Sequence, residues 1–275
     1  MSRHGLRKIA LNSLFKPIQP NTYNYEIADH LRMVRFRKML SRGDLRLYVI
    51  DEEGELGLSS GSLMKFLKVN DYQRSSNGES IPYIIVNSYQ ENLLKVLSKM
   101  DALLESKPEL WIAIDGYACA GKTTLANLLS QIYEGSLFHT DDFFKKPIIT
   151  EDPLTQYGAN IDFHKINQTV IEPIHNQASV HYQPFDFKTH KHLEHVIIPY
   201  SNIHIFEGAY SLHPHLEAPY DLKVFYDISR LKQYYKIYER NGFKRLKKFI
   251  TIWIPNERKY VKALKIKEKA NLYLK

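Results

Sequence analysis

The sequence predicts an α/β protein, a mostly parallel sheet flanked by helices behind a smaller N-terminal segment, on three observations. Residues 116–123 read Gly116-Tyr117-Ala118-Cys119-Ala120-Gly121-Lys122-Thr123, a complete G-x-x-x-x-G-K-[ST] loop, directly after the apolar run Leu110-Trp111-Ile112-Ala113-Ile114. Strand-like and helix-like stretches alternate from residue 110 onward, the pattern of a parallel sheet covered by helices. Two of the strands run into carboxylates: Leu137-Phe138-His139-Thr140 into Asp141-Asp142, and Ile203-His204-Ile205-Phe206 into Glu207-Gly208. Together these specify a P-loop NTPase-type architecture.

The loop explains its own residue types. Glycines at 116 and 121 let the backbone turn tightly and aim N–H groups at an anion, and the helix that follows presents its positive end to the same place. Gly116, Ala118, Cys119, Ala120, Gly121, Lys122, Thr123 and Thr124 are therefore the candidate nucleotide-binding positions. Lys122 is expected to reach the outer phosphates and the Thr123 hydroxyl to ligate Mg²⁺. Helical spacing of apolar residues through Leu125, Leu128 and Leu129 supports a helix after the loop.

Taken in order, the first 87 residues show weak periodicity: a basic helix over 28–40, a strand over 45–50, a turn at 52–55 into another short strand, and a polar linker over 74–80 before Pro82. From Tyr89, apolar residues recur at helical spacing until Lys107-Pro108 stops them. Strands are then expected at 110–115, 136–140, 180–182, 195–199, 202–206, 222–226 and 271–274. The boundary between an N-terminal basic segment and the nucleotide-binding domain is placed between residues 87 and 88.

Composition bounds the partners. The 275-residue chain is 44% hydrophobic, and it has no apolar run approaching the roughly 20 residues that span a bilayer, so no membrane association is expected. A single cysteine, Cys119, makes a reducing cytoplasm the default. Arg3, Arg7, Lys8 and Lys16 all precede the first acidic residue, Glu26, a composition compatible with a transit peptide. The net charge of +8 is uneven: residues 1–50 carry 10 basic and 3 acidic groups, residues 231–275 carry 14 and 3, and the middle is acidic. Such a basic end can meet nucleic acid, but a solvated helix face beside a phosphate site is the preferred reading. Nine of the twelve histidines fall between His164 and His215, yet no cysteine accompanies them and strand alternation scatters them, so a metal cluster is not expected.

Phosphoryl transfer to a hydroxyl requires a carboxylate base, acidic support for Mg²⁺ and cations against the developing charge. Asp141 or Asp142 fits the first and Glu207 the second. Arg230, Arg240 and Arg245 are candidates for the third.

The order Ile114-Asp115-Gly116, Gly121-Lys122-Thr123-Thr124, Thr140-Asp141-Asp142-Phe143-Phe144, Asn160-Ile161-Asp162, Pro184-Phe185-Asp186-Phe187-Lys188-Thr189-His190, Phe206-Glu207-Gly208 and Arg240-Asn241-Gly242 resembles the uridine kinase-like P-loop kinases over about residues 88–275. The resemblance implies transfer from ATP, with Mg²⁺, to a hydroxyl of a small, nucleoside-like acceptor. It implies Asp141 as the catalytic base beside Lys122, Thr123 and Glu207 on the metal, Arg240 near the nucleotide, and Asp162, Phe185 and His190 against the acceptor. Phe185 stands where such kinases carry a tyrosine, which removes a hydroxyl from the base contact and with it some of the discrimination for uridine. The rival is a nucleotide-binding regulatory ATPase whose basic N-terminus touches nucleic acid. A nucleoside monophosphate kinase is disfavoured by the segment 184–190.

Overall fold

A computed structural model of the protein describes residues 45–49, 83–145, 156–186, 189 and 191–275. The helix expected over 28–40, the turn at 52–55 and the linker at 74–80 lie outside the described residues. The chain divides into two compact units, Met1–Glu105 and Ser106–Lys275. In the first, β1 (Leu45–Val49) pairs antiparallel with β2 (Tyr83–Asn87), Leu45 opposite Asn87 and Val49 opposite Tyr83. Helix α1 (Ser88–Leu104) follows and buries Leu93, Val96, Leu97 and Met100, the i, i+3, i+4, i+7 stripe the sequence shows.

The second unit is organised by β3 (Leu110–Gly116), all seven residues of which are buried. A strand covered on both faces reads as a continuous apolar run, as Leu110–Ile114 does. Helix α2 (Lys122–Tyr133) returns over the sheet on Leu125, Ala126 and Leu129 and stops where Glu134 turns left-handed. Three more strands join as expected: β4 (Ser136–His139), β9 (Ile203–Glu207) and β10 (Leu222–Tyr226). With β11 (Leu272–Leu274) they give the order β11-β10-β3-β9-β4, every pairing parallel. Leu110 opposes Ile203 and Ile114 opposes Glu207, so the ends of β3, β9 and β4 lie level at one edge of the sheet.

Between β4 and β9 the chain forms a 3₁₀ turn at Thr140–Phe143 and a helical segment α3. Helix α3 runs through Phe163–Ile166, a π-turn at Asn167–Ile171 and Glu172–His175. Strands expected at 180–182 and 195–199 form as β5 (Val180–Tyr182) and β8 (Val196–Ile198), but they pair antiparallel with each other outside the central sheet. A second antiparallel pair, β6 (Phe185–Asp186) with β7 (Lys191–His192), is too short to leave a periodicity signal. After β10 come α4 (Arg230–Lys248), capped by the Ser229 side chain and broken at Gly242, a π-turn at Phe249–Trp253, α5 (Ile254–Ala263) and α6 (Ile266–Lys269). Among the described residues no helix is long and apolar enough to cross a membrane.

Candidate functional site

The loop leaves β3 through Gly116, whose φ of 144° and tight approach to β10 exclude any side chain: a Cβ there would stand 2.1 Å from the Tyr226 carbonyl oxygen. Several of the loop's backbone groups are engaged internally. The Tyr117 N–H donates to Tyr226 O (3.2 Å) and the Ala120 N–H to Tyr117 O (3.2 Å). The Ala118 N–H meets the Glu257 carboxylate at 3.2 Å to each oxygen, and the Gly116 N–H meets Asp115 at 2.6 Å. Five N–H groups, those of Cys119, Gly121, Lys122, Thr123 and Thr124, have no partner among the described residues. Unpaired amides converging at a helix start form an anion-binding concavity. Of the candidate loop positions, Gly116, Ala118 and Ala120 thus spend their amides on holding the loop's shape.

Lys122 is buried and curls into this concavity, donating to Gly116 O (2.9 Å) and Tyr117 O (3.1 Å). Beside it, the Thr123 hydroxyl donates to Glu207 Oε1 across 3.1 Å, and His139 Nδ1 lies 2.6 Å from the same oxygen. The bond to Glu207, followed by the charges of Glu207, Asp142 and Asp141, raises the His139 pKa despite burial. Gly208 must be glycine here: its φ is 134°, and a Cβ would sit 2.1 Å from Thr140 Oγ1. That hydroxyl donates to Ala209 O (2.9 Å), tying the end of β4 to the turn after β9. The Thr123 hydroxyl and Glu207 carboxylate are hard oxygen donors, the type Mg²⁺ accepts when phosphate and water complete its shell. The residues present therefore fit the ion.

The structure separates the two adjacent aspartates. Tyr182 donates to Asp142 Oδ2 at 2.7 Å while its ring stacks on Phe143 at 4.9 Å, which fixes Asp142 as a structural acceptor. No hydrogen bond from a described residue restrains the Asp141 side chain. Asp141 is exposed, yet desolvation by the protein around it, followed by the like charge of Glu207, raises its carboxyl to about 6, while Lys122 and His139 pull the other way.

The remaining candidates are less concentrated. Asp162 caps α3, accepting from the Lys165 N–H at 3.3 Å, and faces Lys145 Nζ at 3.4 Å. Its own N–H donates to Phe143 O (2.9 Å), which sets it next to the turn bearing Asp141. Phe185 is half-buried and edge-on to His192 at 5.4 Å. His190 lies outside the described residues. Arg240 is exposed on α4, where its charge acts on Cys119, whose thiol is pushed up by burial and drawn back by Arg240, Lys122 and Lys236.

Three residues around the loop, Asp115, Gln233 and Glu257, are given no role by the sequence reading. Asp115 is buried beneath the loop and accepts from Tyr260 Oη (2.7 Å), the Leu212 N–H (3.0 Å) and the Gly116 N–H (2.6 Å); burial raises its carboxyl and those bonds oppose the rise. Glu257 and Gln233 approach Ala118 from α5 and α4, 139 and 115 residues away. No short motif spans such separations. The histidines scatter: His204 bonds Glu109 at 3.0 Å and tilts against Trp111, His213 stacks on Phe163 at 4.2 Å, and no metal-ligating group of three forms among the described residues.

No family model matches the sequence, and no curated protein matches it. Among solved structures the chain is similar to a possible uridine kinase from Bacillus stearothermophilus. That match has 20% identity and a TM-score of 0.52, over 68% of this chain and 99% of that one. A candidate fructose transport system kinase from Silicibacter sp. TM1040 matches with 18% identity and a TM-score of 0.46, over 63% and 94% of the two chains. The parallel sheet with its loop at the end of the central strand, together with the first of these similarities, shows that the chain shares the fold of that possible uridine kinase.

Proposed function

We propose that the protein is a kinase that transfers the γ-phosphoryl group of ATP to a hydroxyl of a small, nucleoside-like molecule. One observation carries the reading. Five loop amides and an Asp141 side chain without hydrogen-bond partners among the described residues, together with Lys122 and the Thr123–Glu207 pair, converge at the carboxyl edge of a single parallel sheet, which is where ligands of open α/β sheets bind.

The roles follow from the chemistry at each atom. The amides of Cys119 and Gly121–Thr124 hold phosphate oxygens, and Lys122 exchanges its two carbonyl partners for them. Thr123 and Glu207 hold Mg²⁺, which when bound neutralises charge on the phosphate oxygens. Asp141 accepts the acceptor's hydroxyl proton, and a carboxyl raised to about 6 is well matched to that task near neutral pH. Asp162, beside the same turn, positions the acceptor, and Arg240 contributes charge from α4. Phe185, lacking the hydroxyl of a tyrosine, favours an acceptor whose ring packs against it over one that hydrogen-bonds there.

ADP release from MgATP across a panel of nucleosides, sugars and vitamins tests the proposal against the no-acceptor rate. Stimulation by one compound class supports it. A flat panel above measurable basal hydrolysis refutes it and favours a regulatory ATPase, whose binding to nucleic acid through residues 1–50 would weaken steeply with salt.

A further inference from the structure

The loop is held at one residue from two helices. Glu257 on α5 accepts the Ala118 N–H through both carboxylate oxygens, at 3.2 Å each, and Gln233 on α4 donates Nε2–H to the Ala118 carbonyl at 3.2 Å. The two side chains are bonded to each other, Gln233 Nε2 to Glu257 Oε2 at 3.3 Å. Arg258 completes the set by donating Nη2–H to Gln233 Oε1 at 3.4 Å while its guanidinium lies 4.3 Å from the Tyr117 ring centroid. Gln233 is fully buried and Glu257 nearly so.

Burying a carboxylate beside a site built for anions is unfavourable unless it does something there. Glu257 repels incoming phosphate, and an apolar residue would pack in its place without that repulsion. What it supplies is an acceptor for a backbone N–H that lies between the loop's free amides and the end of β3. With the Ala118 N–H and C=O both engaged, the peptide planes on either side of its Cα are held, and Cys119 is kept at its left-handed φ of 60°, a conformation that disfavours residues other than glycine. Lys236 Nζ, 3.4 Å from Cys119 O, extends the same hold by one residue.

We propose that Gln233 and Glu257 are positioning residues that clamp the loop at Ala118, so that the amides of Cys119 and Gly121–Thr124 are arranged for phosphate before it arrives. Neither side chain touches the nucleotide. They act through the backbone, lowering the reorganisation needed on binding. The importance of the clamp for catalysis rests on the kinase reading; its hold on the loop does not.

The single cysteine separates the two. Cys119 follows the clamped residue, so its reaction with a small aromatic disulfide reports loop opening in nucleotide-free protein. Glu257→Gln keeps an acceptor for the Ala118 N–H but turns the oxygen facing Gln233 Nε2 into a second donor. Gln233→Met fills the same space and removes all three side-chain hydrogen bonds. Each is expected to speed Cys119 labelling about 5- to 30-fold, the ratio corresponding to one or two kcal/mol of lost restraint, and to weaken fluorescent MgADP binding by a similar factor. The KM for the acceptor should stay unchanged. Ile174→Ala, a buried change on α3, which carries none of the clamp's residues, controls for general destabilisation. Labelling no faster than in wild type, or accelerated only as much as in Ile174→Ala, overturns the clamp. Wild-type protein that binds no MgADP overturns the kinase reading instead, and the labelling rates still decide the clamp.

Discussion

Tyr182 donates its hydroxyl to Asp142 at 2.7 Å, while no described residue hydrogen-bonds the side chain of the neighbouring Asp141. Two carboxylates equivalent in sequence thereby acquire different tasks: one fixes the turn, the other faces the Thr123–Glu207 site. The division predicts opposite mutational phenotypes. Asp141→Asn should leave MgATP affinity nearly intact and cut turnover by roughly 10²- to 10⁴-fold, the usual range for a general base. Asp142→Asn should mainly lower thermal stability by loosening Tyr182. Titration calorimetry with turnover assays and melting curves checks both; equal turnover in Asp141→Asn removes that residue from the reaction.

A pH profile offers a second check. Asp141 must be ionised to accept a proton, and its carboxyl is raised to about 6, so kcat/KM for the acceptor should fall as pH drops through about 6. Linkage gives the sign for stability. The folded carboxyl binds its proton more tightly than the unfolded one, so this group's contribution to stability is lost as pH rises through about 6. Asp141→Asn should therefore melt higher than wild type at pH 7, with the gap closing toward pH 4. A gap that widens in acid would contradict the raised carboxyl.

Glu207 accepts from Thr123 at 3.1 Å and pairs with His139 at 2.6 Å. Glu207→Gln should raise the Mg²⁺ concentration for half-maximal turnover by about 10- to 100-fold, the range seen when partners of a metal site are removed. Binding of metal-free nucleotide should change little. An unaltered Mg²⁺ dependence would place the ion elsewhere.

Gly208 aligns that carboxylate. Gly208→Ala forces a φ of 134° on a residue with a side chain and drives its Cβ to 2.1 Å from Thr140 Oγ1. The backbone conformation alone costs about 1–3 kcal/mol. A lowered melting temperature together with lost turnover is expected, measured by calorimetry and ADP release. A variant as stable as wild type would show that the Thr140 turn yields freely.

Much of the central fold was legible locally. The fully buried β3 appears in sequence as an unbroken apolar run, α2 as an apolar stripe of period 3.6, and Glu207 and Asp141 as carboxylates closing strands. The destination of β5 and β8 was not legible, because a three-residue strand does not state its partner. The two-residue pair β6–β7 was missed for want of length.

By itself the sequence determined the loop, the helix it opens and the strand ends that face it, because each is encoded in consecutive residues whose conformational preferences act over a few bonds. Only the tertiary structure decided that Asp142 is held, since that depends on Tyr182, 40 residues along the chain. It also decided that Asp115 is satisfied by Tyr260, 145 residues away, and that Glu257 and Gln233 seize the loop at Ala118. These are long-range bonds formed in buried places. There the need to satisfy every polar group selects one partner out of many, and that selection has no local trace in the chain.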